Sequence, residues 1–158
     1  MIRIGKSTDI HRLVPGNNII IGGVTIPSTV KSVGHSDADC LLHTVAESLI
    51  GALSLGDLGK LFPDTDPQYK GINSQELVKE VMYLVRNQGY SVINIDSTVI
   101  LERPKLQSYI KEMRKIIAEL LDIDMQYVSV KATTSEEVGI VGRGEAIIAE
   151  SVVLVTND

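Results

Sequence analysis

The sequence predicts an α+β fold, an α/β sandwich whose mixed β-sheet carries its helices on one face. Segments with period-two alternation interleave with segments of helical period, yet two hairpin-like strand pairs break a strict βαβ repeat. Apolar residues make up 44% of the chain, but aromatics only 4%, with no Trp, so Ile, Val, Leu and Ala must fill the space between sheet and helices. At 158 residues the chain has the size of one domain, which we expect to span 1–158.

Residues 2–13 and 18–26 read as two strands joined through Pro15-Gly16-Asn17, with Pro and Gly in turn-compatible places. In "GHSDADCLLHTVAESLIGALSLG" Ser36 reads as a helix N-cap, with Asp37 and Asp39 in the first turn and Leu41, Leu42, Val45, Leu49 and Leu53 at helical spacing. His43 falls in that helix, with Cys40 and Glu47 on neighbouring turns of a similar face. The stretch 55–73 has no apolar period and is long for a connection, a property of functional or disordered loops. Ser74 is expected to cap a second helix running to about Gly89, followed by a strand over 90–101. A third helix after Pro104 carries Ile110, Met113, Ile117, Leu120 and Leu121 on its apolar stripe, and 127–133 and 145–156 complete the strands.

Fifteen basic against twenty acidic residues give a net charge of -5. Without a basic run to neutralise a row of phosphates, nucleic acid is excluded as a polymeric partner. The longest apolar stretches, around 19–26 and 146–155, fall far short of the ~20 residues a membrane-spanning helix needs, so no membrane partner is expected. The lone Cys40 cannot form an intrachain disulfide, and "MIRIGKSTD" lacks a signal-peptide apolar core. The expectation is a cytoplasmic protein.

Chemistry first surfaces in "STDIHRL". Asp9 and His11 stand two apart in an extended segment and so project to one face. That spacing fits a wetted strand edge, or half of a metal site that His43 could complete from a helix packed on the same face. Two imidazoles and a carboxylate suit catalytic zinc with an open position, and equally the facial triad of non-haem iron oxygenases. Taken singly, His43 also fits a core histidine beside a polar cap. His35 and Ser36 lie where a helix N-terminus favours an anion. "KATTSEEVGIVGRG" offers hydroxyls, Glu136 and Arg143, or simply a capped turn after a strand. "GKST" lacks the glycine spacing of a P-loop.

"GHSDADCLLH", "LGDLGKLFPDTDPQYKG", "VKATTSEEVG" and "GRGE", with "IGGVTIPS" and "ERPKL", occur in the order and spacing of the 2-C-methyl-D-erythritol 2,4-cyclodiphosphate synthases of the non-mevalonate isoprenoid pathway, which the chain resembles over nearly its whole length. The resemblance implies a homotrimer with active sites between neighbouring subunits. It implies a zinc-type ion held by Asp9, His11 and His43, and Mg²⁺ or Mn²⁺ approached through Glu136. The family's substrate, 4-diphosphocytidyl-2-C-methyl-D-erythritol 2-phosphate, cyclises with loss of CMP, a phosphorus–oxygen lyase reaction. By the same resemblance His35 and Thr134 steady the phosphates in the transition state, assisted by Ser36 and Ser135. Asp57, Leu58, Gly59, Phe62, Pro63, Asp64, Thr65 and Asp66 would hold the erythritol part. Leu101, Pro104, Lys105, Leu106 and Gln107 would cradle the cytidine with Thr133, largely through backbone groups.

The chain departs from the family where a glycine and an aromatic often precede the first metal acid, here Ser7 and Thr8. Glu47 stands for a common Asp, and Ile140 for a common Phe. Period two puts Glu150 on the face of Ile148, Val152 and Leu154, where a bare carboxylate needs a partner, and Arg143 is the nearest cation in sequence. In the family, Ile140, Arg143 and Glu150 correspond to the lining of a cavity on the threefold axis that can hold an isoprenoid diphosphate; Ile140 and Arg143 would also border the substrate. Competing readings are a metal-dependent oxygenase or hydrolase on the same triad, and a non-catalytic binder of nucleotides or isoprenoid diphosphates.

Overall fold

The computed structural model of the chain describes residues 1–34, 36–63, 65–69 and 71–158. Among them, seven strands form: β1 (Ile2–Pro15), β2 (Asn18–Ile21), β3 (Val24–Pro27), β4 (Val30–Val33), β5 (Ser91–Ile100), β6 (Val128–Thr133) and β7 (Ala146–Thr156). The helices are α1 (Cys40–Ala52), the single turn α2 (Leu58–Leu61), α3 (Ser74–Asn87), α4 (Ile110–Leu121) and the single turn α5 (Gly139–Gly142). Five strands make one sheet in the order β4-β1-β7-β5-β6, antiparallel except for the parallel β5/β6 pair, whose crossover carries α4. The sheet is mixed, as the sequence predicts.

Residues 18–26 differ from expectation: they are a hairpin rather than one strand paired with the first. Gly22 and Gly23 both take left-handed φ, 60° and 78°, the pair of values a two-residue hairpin turn demands, so β2 folds back on β3 in a separate ribbon. β1 pairs instead with β4 and β7.

The first long helix also begins later than Ser36. Ser36 and Ala38 both have positive φ, so the chain is still turning, and Asp39 is the N-cap, accepting from Leu42 N at 3.0 Å. The same buried carboxylate accepts from Gly22 N at 2.9 Å and Gly23 N at 2.7 Å, fastening the hairpin turn to the start of α1. Burial pushes the Asp39 carboxyl up to about 6, even against these three backbone donors. The second helix is capped by Asn73, which leaves Ser74 in its first turn with a buried side chain. Within the long connection, α2 and a 3₁₀ turn at Pro67–Tyr69 supply local order, and Phe62 packs edge-on against Tyr69.

Period-two alternation divides the sheet cleanly. Gly5, Ser7, His11 and Leu13 of β1, Ile147, Ala149, Val153 and Val155 of β7, and Ile95 and Val99 of β5 face the helices and are buried. α1 lies directly on β1 and β7, α3 packs on α1, and α4 packs on α3 and β6. Leu42, Val45, Leu49, Val78, Val81, Met113 and Ile117 close the apolar core between the layers. Among the described residues, nothing covers the opposite face of the sheet.

Small residues line the contact of α1 with the sheet. Ser7, Ser151 and Ser97 stand abreast on β1, β7 and β5. Ser151 Oγ lies 2.7 Å from Thr44 Oγ1 of α1 and 2.8 Å from Ser97 Oγ, so these fully buried hydroxyls satisfy one another. Gly5 has no room for a side chain at all, because a Cβ there would stand 1.8 Å from the Ser48 carbonyl oxygen. Gly5→Ala should therefore force α1 off the strand and destabilise the protein by roughly 1–3 kcal/mol, the usual cost of overpacking. Chemical denaturation of the variant beside the parent measures this; equal midpoints would contradict the contact.

Candidate functional site

β1 projects Asp9 and His11 toward the helical layer, and the first turn of α1 brings His43 over them. His11 Nε2 lies 2.9 Å and His43 Nδ1 3.3 Å from one oxygen, Asp9 Oδ2. The imidazoles meet edge to face with centroids 5.1 Å apart. The Ile10 N–H donates to the other carboxylate oxygen, Oδ1, at 2.9 Å, which turns Oδ2 toward the histidines. Burial alone would raise the Asp9 carboxyl, but the two imidazoles against it, His11 and then His43, outweigh that and hold the group well below the ordinary carboxylate range. Burial likewise opposes charge on His11; Asp9, the Ala38 carbonyl and Asp39 reverse that and leave its pKa raised.

Three donor atoms converging on one point make a site for a shared cation. All three lie within 4.8 Å of one another. Ligands ~2.1 Å from a tetrahedral ion stand roughly 3.4 Å apart, close to the spacings seen. His11 Nδ1 lies 2.9 Å from the Ala38 carbonyl oxygen and can donate only there, which leaves the Nε2 lone pair for a metal. Gly34 seals the back of that ring: a Cβ at this position would stand 3.0 Å from His11 Cε1. The residues thus fit a three-ligand divalent ion.

A cavity of about 560 Å³ opens from the triad. Of the residues expected to hold substrate, Ser36, Leu58, Gly59 and Phe62 line it, together with Glu47, Tyr69 and Ile72. Asp57 is not part of its lining and caps α2, accepting from Lys60 N. Pro63, Thr65 and Asp66 follow in the same connection, where Asp66 accepts from Gln68 N. His35 and Asp64 lie outside the described residues.

A second cavity, about 400 Å³, gathers Leu101, Pro104, Lys105, Leu106, Gln107, Thr133 and Thr134. The chain turns here through a cis Arg103–Pro104 peptide. Glu102 belongs to this cavity and accepts from both the N–H and the hydroxyl of Ser135. Glu136 follows in an exposed turn with φ of 55°, its N–H donating to Thr134 Oγ1.

Two of the departures noted in the sequence touch one another: Ser7 Oγ donates to Glu47 Oε2 at 2.8 Å. The expected pairing of Arg143 with Glu150 is not formed. Arg143 makes a forked bond to Glu145, 2.8 Å at Nε, whereas Glu150 accepts from Thr8 and lies 3.5 Å from Lys6 Nζ. Thr8 and Glu150 are direct cross-strand partners, a neighbourhood fixed by β1/β7 register and invisible to distance along the chain. Ile140 is exposed. Sequence reasoning also missed Gly34, for which a glycine immediately before the His35-Ser36 pair was the available signal; Glu102 opens the "ERPKL" segment, but nothing local marks its bond to Ser135.

The YgbB family matches residues 2–156. A Geobacillus kaustophilus protein named 2-C-methyl-D-erythritol 2,4-cyclodiphosphate synthase is 53% identical over 154 residues, 98% of each chain. The bifunctional IspDF of Campylobacter jejuni superposes with a TM-score of 0.93 at 39% identity over 98% of this chain, which spans 42% of that protein. A 2C-methyl-D-erythritol-2,4-cyclodiphosphate synthase in its CDP-bound form gives a TM-score of 0.91 at 34% identity, covering 98% of this chain and 100% of the other.

Because each ligand of a three-point site carries a large share of binding, His43→Ala should be purified without zinc while its far-UV circular dichroism matches the parent. Elemental analysis decides the matter: one zinc per chain in that variant would remove His43 from the site.

Proposed function

The chain belongs to the YgbB family, and from that membership we propose that it converts 4-diphosphocytidyl-2-C-methyl-D-erythritol 2-phosphate to 2-C-methyl-D-erythritol 2,4-cyclodiphosphate with release of CMP, as a phosphorus–oxygen lyase of the non-mevalonate isoprenoid pathway. The observation that carries this reading is the convergence of Asp9, His11 and His43 on a cavity that Leu58, Gly59 and Phe62 also line. One cyclodiphosphate synthase domain, 1–158, does the work. The cytoplasm is its proposed location, where a lone reduced thiol such as Cys40 is the ordinary state.

The reaction needs no activated side chain. An oxygen of the substrate's own 2-phosphate forms a bond to the β-phosphorus, the bond from that phosphorus to the CMP oxygen breaks, and CMP leaves with the electron pair. The chain's task is to fold the substrate so that these atoms meet in line and to balance the charge. When bound, a zinc-type ion at Asp9, His11 and His43 and Mg²⁺ or Mn²⁺ near Glu136 would neutralise the diphosphate. His35, Ser36, Thr134 and Ser135 would hold phosphate oxygens. Residues 57–66 would enclose the erythritol, and the cavity at 101–107 with Thr133 would take the cytidine.

We further propose a homotrimer with sites between subunits. Two features support it: the metal cavity and the 101–107 cavity are separate hollows on one chain, and the bare sheet face presents Ile2, Ile4, Ile10 and Val152 to solvent. Ile140, Arg143 and Glu150 would border a cavity on the threefold axis able to take an isoprenoid diphosphate, with Arg143 as its cation.

Phosphorus NMR of the substrate incubated with the protein, Zn²⁺ and Mg²⁺ tests the activity directly: CMP and a cyclic diphosphate should appear together, and hydrolysis to a linear product would refute it. Glu136→Gln should lower kcat on the order of a hundredfold and abolish the Mg²⁺ or Mn²⁺ dependence while zinc content stays at the parent level. Metal-titration curves unchanged from the parent would remove Glu136 from that role.

A further inference from the structure

Each histidine of the triad has a second ring nitrogen, and what that nitrogen faces decides whether the first can bind a metal. For His11 the answer is a backbone carbonyl, which only accepts. For His43 the neighbour is Ser36: Nε2 lies 3.1 Å from its hydroxyl oxygen, an atom able to donate or accept. Taken alone, that contact leaves the tautomer open.

The hydroxyl is not alone. Ser36 Oγ lies 3.1 Å from Ser74 Oγ, and Ser74 in turn donates to Asp37 Oδ1. Asp37 also accepts from Asp39 N at 3.2 Å on Oδ1 and from Ser74 N at 3.2 Å on Oδ2, so both of its oxygens are committed as acceptors. Counting protons along this chain sets its direction. A carboxylate can only accept, so Ser74 gives it its single proton. Ser74 Oγ can then only accept from Ser36, whose one proton goes to Ser74, or to Asp37 Oδ1 at 3.4 Å, and in either case away from the imidazole. Ser36 is left to accept from His43, which must carry its proton on Nε2.

We propose that Ser74 and Asp37 are positioning residues for His43: acting through Ser36, they hold the ring as the Nε2–H tautomer and keep the Nδ1 lone pair free for the cation shared with Asp9 and His11. Asp9 Oδ2 stands 3.3 Å from Nδ1 and draws the proton to that nitrogen, where it would block metal binding. The polar chain opposes this from the other side of the ring. Ser74 is fully buried in the first turn of α3, so the ring's orientation is tied to the packed helical layer rather than to solvent. The inference rests on the reading of Asp9, His11 and His43 as a metal site.

The test uses the full chain, metal-free and above the imidazole titration range, with ¹⁵N-labelled histidine. Long-range ¹H–¹⁵N correlation spectra report which His43 nitrogen bears the proton, and competition with a chelator gives zinc affinity. The parent should show the Nε2–H form. Ser74→Ala and Asp37→Asn should each bring a substantial Nδ1–H population and weaken zinc binding about tenfold, the lower end of losses for groups behind a metal ligand, while Ser74→Thr restores both. An Nε2–H tautomer and zinc affinity unchanged in both variants would overturn the proposal. Should the tautomer shift as described in a protein that takes up no zinc, the hydrogen-bond chain stands and the metal reading falls.

Discussion

Everything at the site depends on how closely α1 lies on β1. Gly5 faces the Ser48 carbonyl with no space for a Cβ, and the contact lets strand and helix run side by side with small residues between them. The two elements then stay in step. Two strand residues advance ~6.7 Å and four helical residues ~6 Å, so alternate positions of β1 meet successive turns of α1. Ser7 meets Glu47, Asp9 meets His43, and His11 meets the Ala38 carbonyl just before the helix begins. The metal-ligand geometry is one rung of that ladder, and the Ser7–Glu47 bond is the rung beside it.

That ladder also gives the departures at positions 7 and 47 a physical sense. A glycine at 7 would offer nothing to a carboxylate on the facing turn. Serine offers a hydroxyl, and the longer glutamate reaches it at 2.8 Å. The two changes make a local strap between β1 and α1 next to the triad, in a part-buried setting where a hydrogen bond to a charged group contributes about 1.5–3 kcal/mol.

The triad was legible in the sequence because i, i+2 spacing in a strand and helical periodicity around His43 both constrain direction. The long strands, the three long helices and the apolar stripe of α4 follow from the same periodicities. The failures share a cause as well. Ser36, Asp37 and Asp39 all have N-cap chemistry, and only the positive φ of Ser36 and Ala38 leaves Asp39 to cap the helix. Gly22 and Gly23 sit inside an apolar run that reads as one strand, although two adjacent glycines are also a turn signal. Ser7, Ser97 and Ser151 read as ordinary polar positions until strand register sets them abreast under Thr44. Ion pairs were least legible: Lys6 and Glu150 are 144 positions apart and meet only because β1 and β7 are antiparallel partners.

The same alternation gives β1 two kinds of work. Its odd positions build the contact with α1 and carry Asp9 and His11 of the candidate metal site, and its even positions, Ile2, Ile4 and Ile10, stand 51–66% exposed on the bare face of the sheet. A sheet covered on one side ordinarily wets the other, so large aliphatic side chains here ask for cover. Lys6, Thr8 and Glu150 form a polar island in the middle of that face, and their mutual bonds reduce the cost of bringing it against a neighbour. In the proposed trimer, one strand would then present its ligands to the site on one face and its aliphatic residues to the assembly on the other. A one-residue slip of β1 against β7 would exchange the two sets, so strand register constrains chemistry and assembly together.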